Sequence, residues 1–128
     1  MPLVTTKQIL LEAQKGGYAV CAFNMENMEM AQGILEAAKD CRAPVIIQTT
    51  PGTVRYGGTA LFRGIVAALA EGLDIPVALH LDHGNSNELV REALVAGYTS
   101  VMYDGSKLGL EENIQNTAAA VKDAAPFE

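Results

Sequence analysis

The sequence predicts an α/β fold in which parallel strands alternate with helices, and three observations carry that prediction. Four short apolar runs, starting near residues 18, 45, 77 and 100, are each followed by a stretch of helical periodicity. The runs are apolar throughout and no hairpin turn joins any two of them, as expected of parallel strands covered by helices. Polar and turn-forming residues gather after every run: Asn24, Thr49 with Thr50, Asp82 with His83, and Asp104 to Ser106.

Taken in order, Thr5 or Thr6 caps a first helix whose apolar positions include Ile9, Leu10 and Ala13, ending near Gly16 and Gly17. Tyr18 to Phe23 reads as the first strand, and Asn24 to Asn27 as a short polar turn. A helix from Met28 to Asp40 follows, with Ala31, Ile34, Leu35 and Ala38 on its apolar side. Pro44 leads into the second strand, Val45 to Gln48, and the stretch TTPGTVRYGG reads as a loop rich in turn formers. Ala60 to Glu71 is the next helix, closed by Gly72. The third strand runs from Pro76 through Leu81. Asn85 or Ser86 then caps a helix ending near Ala96, with Gly97 just beyond it. Ser100 to Tyr103 is the fourth strand, DGSKLGL its loop, and Glu111 to Ala124 the last helix, with Asn113, Asn116 and Thr117 on its polar side.

Such units suit either a doubly wound sheet or a (β/α)8 barrel, which normally needs ~250 residues. No GxGxxG follows the first strand, where AFNMENM stands instead. At 128 residues the chain amounts to half a barrel in one domain, residues 1–128. In either architecture the loops after the strands share one end of the sheet, so their polar residues point to a single site.

Composition narrows the function. Apolar residues make up 49% and charged residues 19%, which excludes a disordered chain. The net charge is -6 and the basic residues are scattered, so no nucleic-acid partner is expected. No stretch reaches the ~18 apolar residues of a membrane span, and the start MPLVTTKQIL is no signal peptide. Cys21, read as a buried strand residue, and Cys41, at a helix end, are expected to be free thiols in a reducing, cytoplasmic compartment. A phosphorylated ligand stays open, because backbone amides bind anions without a basic patch.

The run IPVALHLDHG holds the chemistry. Strand alternation sets Ala78, His80 and Asp82 on one face and Val77, Leu79 and Leu81 on the other. The apolar face should meet the helices, leaving His80 and Asp82 toward the barrel axis or crevice. A carboxylate and imidazoles at the mouth of an apolar strand are costly unless paired, metal-bound or used. Asp82 is the first candidate for a general acid/base, against a capping aspartate. His83 could bind Zn2+, although two histidines cannot complete a catalytic site that needs three protein ligands. His80 could orient Asp82 or the substrate, or sit as a bonded histidine in a polar barrel layer. Asp104 could be an outer or alternative metal ligand, or cap the turn at Gly105. Asn24 and the Thr50 hydroxyl could contact substrate, with turn formation an equal alternative for Asn24; packing suffices for Met25, Met28 and Met30.

The run VALHLDHG, with AFNMEN, TPGT and SVMYDGS at ordered intervals, resembles the class II, metal-dependent ketose-bisphosphate aldolases, and in particular their fructose- and tagatose-bisphosphate branch. The likeness extends through almost the whole chain. It implies a (β/α)8 TIM barrel of which the four βα units here are the N-terminal half. It also implies homo-oligomers, a phosphorylated sugar substrate and a zinc ion that polarises the substrate carbonyl. By the same resemblance Asp82 is the acid/base residue at the substrate hydroxyl, His83 a zinc ligand, and Asp104 a carboxylate near an alternative metal position. Asn24 and Thr50 become substrate contacts. One departure stands out: Lys107, Leu108 and Gly109 follow DGS where relatives carry a histidine and an aromatic-proline pair. The remaining metal ligands are expected from the second half of the barrel. A piece of an ordinary aldolase is thus the first expectation; a half-barrel completed by a second chain, or a degenerate or engineered module without activity, are the alternatives.

Overall fold

A computed structural model describes residues 3–127. Four parallel strands lie in the order β1-β2-β3-β4, with β1 at Cys21–Asn24, β2 at Val45–Thr49, β3 at Val77–Gly84 and β4 at Ser100–Tyr103. Helix α1 (Thr6–Gly16) precedes them. Helices α2 (Met28–Cys41), α3 (Pro51–Gly57), α4 (Thr59–Ala70), α5 (Asn87–Ala96) and α6 (Leu110–Ala124) follow, and a 3-10 turn covers Ala125–Phe127.

Among the described residues the strand order runs in sequence without reversal, so they hold no switch point of the doubly wound kind. One face of the sheet carries the helices: Val77, Leu79 and Leu81 pack with Leu35 of α2, Phe62 and Val66 of α4, and Val90 and Leu94 of α5. The opposite face holds a small apolar layer of Ile46 and Ala78 beneath Ile9 of α1, flanked by Val4 and Val20. Helix α1 therefore closes the N-terminal end of the inner face, helped by the Val4 N–H bond to the Val77 carbonyl. This is the arrangement of four successive units of a (β/α)8 barrel, with the sheet open at β1 and β4. Leu79 and Leu81 are fully buried, and each contributes roughly 1.5–3 kcal/mol by leaving water.

Helix caps follow the sequence signals in part. Asn27 and Ser86 accept from the amides of Met30 and Leu89, and Gly97 ends α5 in the left-handed region. Thr5 stands at the cap of α1 without a side-chain bond.

Several expectations are corrected. The TTPGTVRYGG stretch is not all loop: Thr50 caps α3, Pro51 takes its first turn, and the buried Thr53 and Val54 anchor seven residues too short to hold as a helix alone. Tyr18 to Val20 precede β1, whose four residues are all exposed. Cys21 is therefore exposed, not buried, because β1 is an edge strand with one neighbour; both thiols are free. Met25 is fully buried, whereas Met28 and Met30 are 46% and 40% exposed. Strand β3 extends past Leu81 to Gly84. Among the described residues no helix is long and apolar enough to cross a membrane.

Candidate active site

Strand register builds the floor of the site. Asn24 of β1 pairs with Gln48 of β2, Gln48 with His80 of β3, and His80 with Ser100 of β4. Two residues earlier on β2 and β3, Ile46 and Ala78 form the apolar layer on α1. A polar row thus lies one step above an apolar plug, at the end of the sheet where the loops gather. Alternation makes this unavoidable once Ile46 and Ala78 face inward.

Gln48 ties the row to the candidate acid/base residue. Its side-chain amide donates to Asn24 Oδ1 at 2.6 Å and to Asp82 Oδ2 at 2.9 Å. Asn24 and Asp82, both picked out in the sequence, are therefore joined through a residue that was not. The available signal was its parity: in VIIQT, Gln48 is the polar residue sharing a face with Ile46.

Between Leu81 and Gly84 the β3–β4 ladder slips, so that Leu81 opposes Val101 while Gly84 opposes Tyr103. Two residues of β3, Asp82 and His83, occupy the space opposite Met102 alone. The bulge is stored at His83, whose φ of 54° lies in the left-handed region. Simple alternation would send His83 away from Asp82. Instead its Nε2 stands 3.8 Å from Asp82 Oδ2, and its Nδ1 meets Asp104 Oδ2 at 2.8 Å. Gly84 makes the turn back possible, since a Cβ there would lie 2.6 Å from the Met102 carbonyl oxygen. Its own carbonyl accepts from the Asp104 amide at 2.8 Å, which locks the two strand ends together.

Asp104 takes the turn-capping role considered for it and also holds His83. Oδ1 accepts from the Ser106 amide at 3.0 Å, capping the turn at Gly105, while Oδ2 holds His83. Hydrogen bonds from Ser106 and then His83 keep its carboxyl well below the usual carboxylate range. The Asp104 contact, with the Asp82 charge behind it, raises His83 above its ordinary value. His80 is moved the other way: burial lowers it, outweighing the pull of Asp82, and His83 adds to the lowering. Burial at the floor and the Asp104 contact at the rim thus set the two histidines apart, His80 the less basic and His83 the more basic.

Thr50 lies at the rim after β2, but its hydroxyl caps α3, facing the Thr53 amide at 3.4 Å and the Thr53 hydroxyl at 3.1 Å. Thr53 in turn donates to the Glu26 carboxylate at 2.8–2.9 Å, linking the β1–α2 turn to α3. Glu26 and Thr53 were not singled out in the sequence. Lys107, Leu108 and Gly109 are exposed beyond Ser106.

Of the side chains at this rim, His83 is the imidazole that could take a metal. With Nδ1 held by a carboxylate, a neutral His83 has a lone pair on Nε2 at the open rim, the usual way a second acceptor orients a ligating histidine. Among the described residues no group of three or more His, Cys, Asp or Glu side chains is close enough to hold a metal. Any catalytic ion would need further ligands from outside them.

The family profile described as "Fructose-bisphosphate aldolase class-II" matches residues 4–128. The fructose-bisphosphate aldolase of Thermus caldophilus is 49% identical over 122 residues, covering 95% of this chain and 40% of that protein. The fructose-bisphosphate aldolase of a Staphylococcus epidermidis strain is 45% identical over 127 residues, covering 97% and 44%. Among solved structures, the YdjI aldolase from Escherichia coli K12 superposes with a TM-score of 0.89 at 34% identity, covering 98% of this chain and 48% of that one. The chain spans less than half the length of these relatives. With the profile running through all four βα units and the site at their rim, the chain belongs to the class II fructose-bisphosphate aldolase family.

Proposed function

We propose that this chain supplies the first-half residues of a metal-dependent aldolase that reversibly cleaves a ketose 1,6-bisphosphate, fructose or tagatose, to dihydroxyacetone phosphate and glyceraldehyde 3-phosphate. The residues form the N-terminal half of the barrel in a cytoplasmic homo-oligomer. The observation that carries the reading is the β3 bulge, which brings Asp82 and His83 to one rim with Asp104 behind the imidazole.

Asp82 takes the proton from the substrate hydroxyl as the carbon–carbon bond breaks, and returns it in the condensation direction. Its Oδ2 is held by Gln48, so the carboxylate keeps one orientation through both steps. Asn24 and Thr50 contact the substrate. His83 holds Zn2+, with Asp104 orienting it or lying at an alternative metal position, and other ligands come from outside these residues. The ion, when bound, supplies Lewis-acid polarisation of the substrate carbonyl.

The incomplete donor set favours a second reading, in which the chain alone is an inactive structural or binding module. Coupled assays of the zinc-supplemented protein on both bisphosphates separate the two. Cleavage that falls by 10²-fold or more in Asp82→Asn at unchanged stability supports the aldolase. Cleavage unaffected by Asp82→Asn contradicts the role given to this residue, and absence of cleavage in any assembly state leaves the module.

A further inference from the structure

His80 sits in the polar row but has no part in the reaction as assigned. Its Nδ1 lies 2.7 Å from Ser100 Oγ, and Ser100 Oγ accepts the Thr6 hydroxyl at 3.0 Å. The three groups come from separate places: β3, β4 and helix α1. Thr6 is in the first turn of the helix that closes the N-terminal end of the barrel face.

The direction of these bonds decides which ring nitrogen carries the proton. Thr6 donates, so a Ser100 lone pair is occupied and the Ser100 proton needs an acceptor of its own. Among the described residues Nδ1 is the one partner placed to accept it. If Nδ1 carried the proton instead, the Ser100 hydroxyl hydrogen would face a donor and have no acceptor among the described residues. A run of hydroxyl, hydroxyl and ring nitrogen satisfies every group and strengthens each bond in turn. Charge on the ring is disfavoured as well: burial and His83 both oppose it, and Asp82 alone pulls toward it.

The opposite nitrogen is then the donor. Among the described residues no hydrogen bond reaches His80 Nε2. Among the described residues Asn87 Oδ1 is the one fully buried side-chain polar atom without a partner, so His80 Nε2 is not sealed from solvent. His80 shares its strand face with Asp82, two residues on, at the floor of the rim.

We propose that Thr6 and Ser100 are positioning residues that fix His80 as the neutral Nε2–H tautomer, and that this N–H donates to a hydroxyl or carbonyl oxygen of a ligand lying over the polar row. The ligand half rests on the aldolase reading; the tautomer half stands on the hydrogen bonds alone. Helix α1, outside the four βα units, thereby acts on the site from beneath the sheet. It does so without touching substrate.

Two-bond 1H–15N correlation of the histidine rings reports the tautomer in the protein as it stands, with no metal or turnover needed. At neutral pH the expected spectrum shows His80 protonated at Nε2 and bare at Nδ1. Ser100→Ala should release the ring into a mixture of tautomers, and Thr6→Val should do so more weakly. A wild-type ring protonated at Nδ1, or at both nitrogens, would overturn the relay, as would unchanged populations in Ser100→Ala. Because the wild-type spectrum is itself decisive, poor folding of a variant does not blunt the test.

Fructose 1,6-bisphosphate added to the zinc-supplemented protein then probes the donor. A shift of the His80 Nε2–H resonance alongside those of Asn24 and Asp82 is expected. Movement of Asn24 and Asp82 without His80 would overturn the donor role and leave the aldolase reading intact. No response at any of the three would count against that reading, and the ligand half would fall with it.

Discussion

Strands β1 and β3 are both apolar runs ending in polar residues, yet the fold treats them oppositely. Strand β3 lies between two neighbours, buries Val77, Ala78, Leu79 and Leu81, and carries the bulge that forms the rim. Strand β1 has one neighbour, and each of its residues from Cys21 to Asn24 is exposed. The difference lies in ladder position rather than composition: a strand flanked on both sides can hold a strained His83, while the Asn24 side chain is held by one Gln48 bond. The backbone of Asp82 and His83 is consequently set by the sheet from both sides, and that of Asn24 from one.

The largest test of that contrast is truncation at each strand. Leu79→Ala should cost about 2–5 kcal/mol in urea unfolding, as a cavity in a filled layer does. Phe23→Ala, at a residue 46% exposed, should cost under about 1 kcal/mol. Equal losses would mean that β1 is buried in the protein's working assembly.

Next comes the bulge itself. Gly84→Ala places a methyl 2.6 Å from a backbone oxygen of β4, so the strands must part at a cost of about 1–3 kcal/mol. The His83–Asp104 bond should loosen with it, which the ring nitrogen shifts of His83 would register.

A smaller effect belongs to the tie between the strands. Gln48→Leu removes donors from Asn24 and Asp82 together and should destabilise by about 1 kcal/mol. The side-chain amide of Asn24 should then average over rotamers while the β3 backbone shifts little. A large β3 response would show that Gln48, rather than the ladder, holds the rim.

The smallest expected effects are those of pH, and the two histidines contribute with opposite sign. His80 is lowered in the folded state, so its contribution is present above its ordinary value of 6.5 and lost as pH falls below it. His83 is raised, so its contribution is complete below 6.5 and lost as pH rises through its higher folded value. His83 is 59% exposed and solvent screens its effect. His80→Asn should therefore flatten the acid side of a stability profile, and His83→Asn should flatten, more faintly, the neutral-to-alkaline side.

Much of this was legible in the sequence for physical reasons. Helices α2 and α5 carry periodic apolar faces and explicit caps, and β3 sorts its faces by strict alternation, so Leu79 and His80 were assigned to the correct sides. Asp82, His83 and Asp104 were picked out because polar groups at the end of apolar runs need a reason. What escaped depends on neighbours. Cys21 looks like any strand residue until β1 proves to be an edge. Helix α3 hid among glycines because its hold comes from buried Thr53 and Val54 rather than from propensity. The bulge is invisible to a period of two, and Gln48 gains meaning only when the register sets it between Asn24 and Asp82.

On the proposed function, the bulge presents His83 Nε2 to a metal at the rim beside Asp82. Titration of the 15N-labelled protein with Co2+, a paramagnetic stand-in for zinc, tests it most directly. Resonance broadening should centre on His83 and reach Asp82, Gly84 and Asp104, and it should vanish in His83→Ala. Broadening centred on Cys21 and Cys41, or unchanged by His83→Ala, would contradict it.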